Sequence, residues 1–271
     1  MFDFDKWEIY YEKILDDFGF SRVDDEKSAE SLNEILKNRQ HLSFNELKAI
    51  VDEKTDFNTT FLVFGAGLSL EKHVKIVKQL IDGDIDYLNI CGDIVDLDVL
   101  NGDVFNNKVI NNNLFIIAAD GTTSGLLEEN IVPDIVVSDL DGKIEDLLKA
   151  DAQGSIFVIH GHGNNLDLIC KYTNDFNLVL GTTQSVPFEN IYNFGGFTDG
   201  DRAVFLAVNL GAKKIVLAGM DFGEYVTKYS RPNLDNEVEL ADEVKKKKLQ
   251  YAYKLVKWLM NNSNADIKFL K

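Results

Sequence analysis

The stretch LFIIAADGTTSGLLEENIVPDIVVSDLDG, residues 114–142, decides the fold. It holds two short apolar runs, Leu114–Ala119 and Ile135–Val137, and each runs straight into acid. The first ends at Asp120-Gly121, the second at Ser138-Asp139-Leu140-Asp141-Gly142. Unbroken apolar runs, with no polar residue at every second place, suit strands covered on both faces, as in a parallel sheet.

The same texture extends both ways along the chain. Apolar runs recur at Phe61–Phe64, Tyr87–Cys91, Ile156–Ile159, Leu178–Leu180, Ile215–Ala218 and Ile267–Leu270. Helical patterns stand between them at Glu71–Ile81, Arg202–Leu210 and Asn236–Met260. Strands alternating with helices predict an α/β fold: a doubly wound, mostly parallel, Rossmann-like sheet. Residues 1–58 read differently, as an N-terminal helical segment ahead of an α/β domain over 59–271. Trp7, Tyr10, Tyr11, Ile14, Leu15 and Phe18 recur at helical spacing, Ser28–Asn38 reads as a second helix, and Ser43 with Glu46 forms a capping box opening a third. Asp52–Thr60 is polar and reads as a linker, and Asn106–Asn113 as a loop.

Composition narrows the function classes. The chain has 271 residues and a net charge of −17. Such a surface repels phosphate backbones and anionic lipids, so no nucleic acid and no membrane surface is expected as partner. Cys91 and Cys170 form no CxxC pair, the opening residues do not read as a signal peptide, and no apolar run reaches membrane length. A cytoplasmic protein is expected. The lysine run Lys245–Lys248 spreads around a helix and reads as solvated surface.

In doubly wound sheets ligands sit outside the carboxyl ends of the strands, and the notable motifs fall at such ends. Asp120, Asp139 and Asp141 converging there would repel one another without a cation, and hard oxygen ligands suit Mg²⁺. Gly65 and Gly67, in FGAGLSL with Ser69, would let the backbone approach a phosphate at a helix N-terminus; a tight turn without ligand is the alternative. His160 and His162, in HGHG, could touch phosphate, assist the leaving group, share in acid–base chemistry, or be structural. Thr183 and Gln184, in GTTQ, could bond a flat heterocycle or a phosphate, or form a polar loop. In FGGFTDGDR, Thr198 or Asp199 could cap the helix, and Arg202, placed against the helix dipole, calls for an anionic partner such as phosphate or a buried aspartate.

Asp120-Gly121, Pro133-Asp134 and Ser138–Asp141 resemble the DG…PD…GDxDS pattern of thiamine pyrophosphokinases, with departures at Ser138 and Gly142 and no GGRxDH segment. A fuller resemblance is to the archaeal 6-hydroxymethyl-7,8-dihydropterin pyrophosphokinase family, called MptE-like. It runs through FGAGLSL (64–70), AADGTTSGLL (118–127), VPDIVVSDLDG (132–142), HGHGNN (160–165), GTTQ (181–184), FGGFTDGDRAVFLA (194–207) and AGMDFG (218–223). Position 164 is Asn where Asp is expected.

The resemblance implies transfer of diphosphate from ATP to the pterin hydroxymethyl group, with Mg²⁺, in tetrahydromethanopterin- or folate-type pterin biosynthesis. It implies Asp120, Asp139 and Asp141 as metal ligands; Gly65, Gly67, Ser69, Asp120, Gly121 and His160 at the nucleotide; and Asp199, Asp201, Arg202 and His162 in catalysis. Thr183, Gln184, Phe194 and Phe197 are then the residues holding the pterin. Thiamine diphosphokinase, a glycosyltransferase-like protein and a non-catalytic nucleotide-binding module are the alternatives. The N-terminal helices are left to cover the site or to build a homodimer.

Overall fold

The computed structural model describes residues 4–83 and 113–270. The strand read at Tyr87–Cys91 and the loop residues 106–112 lie outside them. Helices α1 (Phe4–Phe18), α2 (Arg22–Lys37) and α3 (Phe44–Lys54) precede β1 (Thr60–Phe64) and α4 (Leu70–Asp82). Then come β2 (Leu114–Ala119), α5 (Thr122–Glu128), β3 (Ile135–Ser138), α6 (Ile144–Ala152), β4 (Ile156–Gly161), α7 (Leu166–Tyr172), β5 (Val179–Thr183) and β6 (Ile191–Tyr192). The chain ends with α8 (Asp199–Leu210), β7 (Lys214–Ala218), β8 (Tyr225–Thr227), β9 (Val238–Leu240), α9 (Glu243–Asn262) and β10 (Asp266–Phe269).

Eight of these strands form one sheet in the order β10-β7-β1-β2-β3-β4-β5-β6, and every pairing in it is parallel. The chain winds outward from β1 through β6, then returns to the other side of β1 for β7 and β10. The switch point is therefore at β1, and crevices open at the carboxyl ends beside it.

The period-two alternation of each strand builds two cores. Phe61, Val63, Phe115, Ile117, Val137, Ile215 and Leu217 face one side, packed by α8 and α9. Leu62, Phe64, Ile116, Ala118, Val136, Phe157 and Val216 face the other, packed by α4, α5 and α6. The N-terminal helices divide between them. Trp7, Tyr11 and Ile14 of α1 and Leu47 and Val51 of α3 join the first core, whereas Ala29, Leu32 and Leu36 of α2 join the second.

Three sequence readings shift. The second helix starts at Arg22 rather than Ser28, because Ser21 caps it by accepting the Asp24 N–H (3.3 Å). The long C-terminal helix starts at Glu243 rather than Asn236, because Asp242 accepts the Lys245 N–H (2.7 Å) and fixes the start. Residues Val238–Leu240 instead pair antiparallel with Tyr225–Thr227. Asp199, not Arg202, opens α8. The Ser43–Glu46 capping box forms as read. No helix among the described residues is long and apolar enough to cross a membrane.

Candidate active site

A cleft of about 560 Å³ opens over the carboxyl ends of β7, β1, β2 and β3. Its floor is acidic. Asp120, Asp139 and Asp141 each present an oxygen within 4.8 Å of the others. Spacing alone suggests an extended Asp139–Asp141 segment, but Leu140 has φ +68°. The chain turns there, the Leu140 N–H donating to Ser138 Oγ (2.8 Å) and the Asp141 N–H to Asp139 Oδ1 (3.3 Å). The turn, rather than strand alternation, gathers the carboxylates. Gly142 is required beside them, since a Cβ there would run into the Asp120 carboxylate.

The three carboxyls are electrostatically distinct. Burial, then the charges of Asp139, Asp199 and Asp141, holds Asp120 well above the usual carboxylate range. Burial and the Asp139 charge push Asp141 up to about 7. Burial would raise Asp139 too, but the hydrogen bond and charge of His162, with help from Arg202, keep it well below the ordinary value. His162 Nε2 lies 2.9 Å from Asp139 Oδ2. Asn165 steadies this corner by donating to the backbone oxygens of Asp139 (2.8 Å) and His160 (2.7 Å). A set of all-oxygen donors crowded enough to suppress ionisation at two of its three members fits a hard divalent cation.

Asp199 and Arg202 form the adjoining wall, Arg202 Nη1 standing 3.2 Å from Asp199 Oδ1. Burial and the Asp139 charge raise Asp199 well above the usual range, against the pull of Arg202. Arg202 also donates from Nη2 to Gln184 Oε1 (3.1 Å), while its buried Nε has no partner among the described residues. Gln184 Nε2 donates in turn to Asp25 Oδ2 (2.8 Å). Asp25 further accepts from Tyr11 Oη (2.6 Å) and the Gly163 N–H (2.7 Å). The amide of Gln184 is thus oriented by α2, so that its oxygen faces the guanidinium.

Several sequence-read residues take other posts. Asp201 is fully buried and accepts from the N–H groups of Phe197 (2.7 Å) and Thr198 (2.8 Å); it caps α8 and does not face the cleft. Ser69 lies outside the cleft, in a smaller depression with His73 and Asp221. Gly65 and Gly67 do line the cleft, but their N–H groups are taken by the carbonyls of Ala218 (2.8 Å) and Gly219 (2.7 Å). The Ser69 N–H is likewise taken, by Asp221 Oδ2 (2.9 Å). That helix start therefore does not offer these amides to a phosphate. Thr183 is buried and accepts from the Ser185 N–H (3.2 Å), and Phe194 packs in the core on Phe44 and Tyr192. His160 is buried behind His162, bonded to Thr182 Oγ1 (3.1 Å), and burial drives its pKa well below the ordinary value. Gln184, Phe197, Gly121, His162, Asp199 and Arg202 do line the cleft. Gly121 has no room for a Cβ against the Tyr229 backbone oxygen.

Asp25, Lys245 and Lys248 are among the cleft residues that sequence reading missed. The two lysines correct the reading of the lysine run as surface alone. They are three apart and share one helix face, a signal present in the spacing once the helix start at Glu243 is known.

A family model described as 6-hydroxymethylpterin diphosphokinase MptE-like matches residues 104–227. Three proteins named 6-hydroxymethyl-7,8-dihydropterin pyrophosphokinase align over nearly the whole chain. The protein from Methanothermobacter thermautotrophicus is 45% identical, over 96% of this chain and 97% of its own. That from Methanocaldococcus jannaschii is 42% identical, over 99% and 100%. The chain belongs to the MptE-like family. A third relative, from Pyrococcus furiosus, is 42% identical over 97% of this chain and 96% of its own. All the cleft residues named above from Asp120 to Arg202 fall within the part matched by the MptE-like family model; Asp25 and the two lysines fall outside it. The MAf glycosyltransferase of Magnetospirillum magneticum AMB-1 covers 80% of this chain and 34% of its own, at 14% identity and a TM-score of 0.45, a likeness too loose to bear on function.

Proposed function

We propose that this MptE-like protein is a 6-hydroxymethyl-7,8-dihydropterin pyrophosphokinase that transfers the β,γ-diphosphate of ATP to the pterin hydroxymethyl oxygen and releases AMP. Supply of an activated pterin to tetrahydromethanopterin-type biosynthesis is the corresponding role. The observation that carries the reading is the convergence of Asp120, Asp139 and Asp141 within 4.8 Å at the floor of a cleft walled by Asp199 and Arg202.

In this reaction the hydroxymethyl oxygen bonds to the β-phosphorus, the bond from that phosphorus to the α,β-bridging oxygen breaks, and the hydroxyl proton must go to a base. Phosphoryl transfer asks mainly for positioning and charge neutralisation. Bound Mg²⁺ would supply charge neutralisation at the phosphates, and Asp120, Asp139 and Asp141 would hold it. His162 orients Asp139 through the 2.9 Å contact, as outer partners of ligating carboxylates do. Arg202, with an unused Nε, stabilises charge on the transferring group. Asp199, raised by burial and open to the cleft, receives the hydroxyl proton. Phe20 and Phe197, tilted 51° to each other at 6.4 Å between centroids, are the aromatic side chains that border the cleft where a pterin would sit.

The test follows phosphorus signals during incubation with ATP, Mg²⁺ and reduced hydroxymethylpterin, with thiamine as a parallel acceptor. AMP and a new diphosphate ester on the pterin are expected, abolished by EDTA while the fold persists. ADP, or pyrophosphate with no ester, would overturn the reading. An ester on thiamine instead would move the protein to the thiamine kinases.

A further inference from the structure

The acidic floor faces a second wall that the reading so far has not used. Helix α9 lays Lys245 and Lys248 along the cleft. Their neighbours in the run point elsewhere: Lys246 pairs with Glu243 (3.0 Å), and Lys247 reaches Asp17 (3.6 Å) and covers the Phe18 ring. Among the described residues, neither Lys245 nor Lys248 has a carboxylate within 4 Å, although sixteen other Lys or Arg contacts of that kind, from Arg22 to Lys268, are spread over the molecule. Lys248 is held over two rings, Phe20 at 5.3 Å and Phe197 at 5.7 Å. Aromatic faces attract an ammonium without neutralising it.

The two lysines nonetheless feel the acidic floor. Lys245 acts on Asp141, and Lys248, lowered by burial and by the charges of Arg202 and Lys245, is pulled the other way by Asp139 and Asp199. The charges face each other across the cleft without touching. Arg202 adds a buried Nε with no partner, in the same wall region as Asp199. Cations left unpaired opposite a cation-binding carboxylate set are suited to an anion that bridges both, bound to the metal on one side and to ammonium groups on the other.

We infer that Lys245 and Lys248 grip the β- and γ-phosphates of the nucleotide from the wall opposite Asp120, Asp139 and Asp141. This rests on the pyrophosphokinase reading and names two further binding residues for it. The grip is aimed at the diphosphate that is transferred, because the lysines line the same cleft as Asp139, Asp141, Asp199 and Arg202, while the amides of the β1 turn are already taken. It predicts a loss for ATP that AMP does not share.

The experiment uses the full chain and calorimetric titration with ATP plus Mg²⁺, and separately with AMP. Lys248→Met and Lys245→Met should each weaken ATP at least fivefold and change AMP less than twofold. Lys248→Arg should recover most of the affinity, and Lys246→Met should match the wild type. Circular dichroism confirms that each variant is folded; Met keeps the apolar stem of Lys248 between its rings. A loss for ATP below fivefold in both variants, or an equal loss for AMP, overturns the inference. The wild type reports separately on the underlying reading. If it binds no ATP with Mg²⁺, both fall. If it binds ATP but forms no pterin ester, the acceptor assignment falls and the lysine comparison still stands or fails on its own numbers.

Discussion

Three glycine-bearing turns at the same edge of the sheet divide between opposite fates. The turn after β1 spends its polar groups on the protein: the amides of Gly65, Gly67 and Ser69 bond to Ala218, Gly219 and Asp221. The turns after β2 and β3 bond their amides within the protein too, but they leave Asp120, Asp139 and Asp141 gathered at the cleft, crowded and, for two of the three, hard to ionise. All three have the local grammar of a strand, a glycine-bearing turn and a helix. A turn whose donors already have partners is a scaffold, and one whose acceptors are left in mutual repulsion is a site.

The contrast can be broken most directly at Asp139 and Asp221. Asp139→Asn should lower turnover by on the order of 10³-fold or more, the scale of removing a charge-handling group from phosphoryl transfer, with the thermal midpoint little changed. Steady-state AMP release measures it, and near-normal turnover would end the carboxylate assignment. His162→Ala should weaken Mg²⁺ by about 10- to 100-fold through the loss of orientation at Asp139, read by titrating activity against metal.

Gly67→Ala tests the scaffold side. Its Cβ would meet the Asp221 carboxylate and, at 2.7 Å, the Gly219 carbonyl oxygen. It should cost about 1–3 kcal/mol of stability in denaturant titration while folded protein stays active. Activity lost in full without loss of stability would return a ligand to that turn.

The pH dependence sharpens the site side. Asp141 sits near 7 in the folded protein against an ordinary value of 3.8. The folded state then holds the proton more tightly than the unfolded one, so this group makes stability fall as pH rises from about 4 through 7. Metal-free protein should show a thermal midpoint that drops from pH 5 to 8, and Mg²⁺ should flatten the slope by replacing the proton. A metal-independent slope would detach Asp141 from the cation. The smallest effect is expected for Asp221→Ala, which removes the acceptor of the Ser69 N–H and should cost about 1 kcal/mol, as a lost helix cap does, with turnover near that of the wild type.

Much of this was legible in the chain. Among the described residues the strand runs stand where read, to within three residues at their ends, because burial on both faces writes itself as unbroken Val and Ile. Asp120, Asp139, Asp141, Asp199 and Arg202 were read from their places at strand ends and a helix start, and the structure brings them together along one cleft. The failures are instructive in another way. Asp201, Ser69, Thr183 and Phe194 lie inside the right motifs but serve caps, turns and core, since a motif mixes residues that touch ligand with residues that hold the loop. Asp25, Lys245 and Lys248 belong to helices remote from the motifs, and Gln184 meets Asp25 across 159 positions of sequence.

The sequence by itself determined the buried central strands, their two-faced burial and the gathering of acid at their carboxyl ends, because side-chain period and apolar runs are local properties of the chain. The tertiary structure alone decided which polar groups are spent and which remain for a ligand. A hydrogen-bond partner or a facing charge comes from whatever element folds against the turn, and Asp221, Asp25 and the lysines of α9 are supplied in that way.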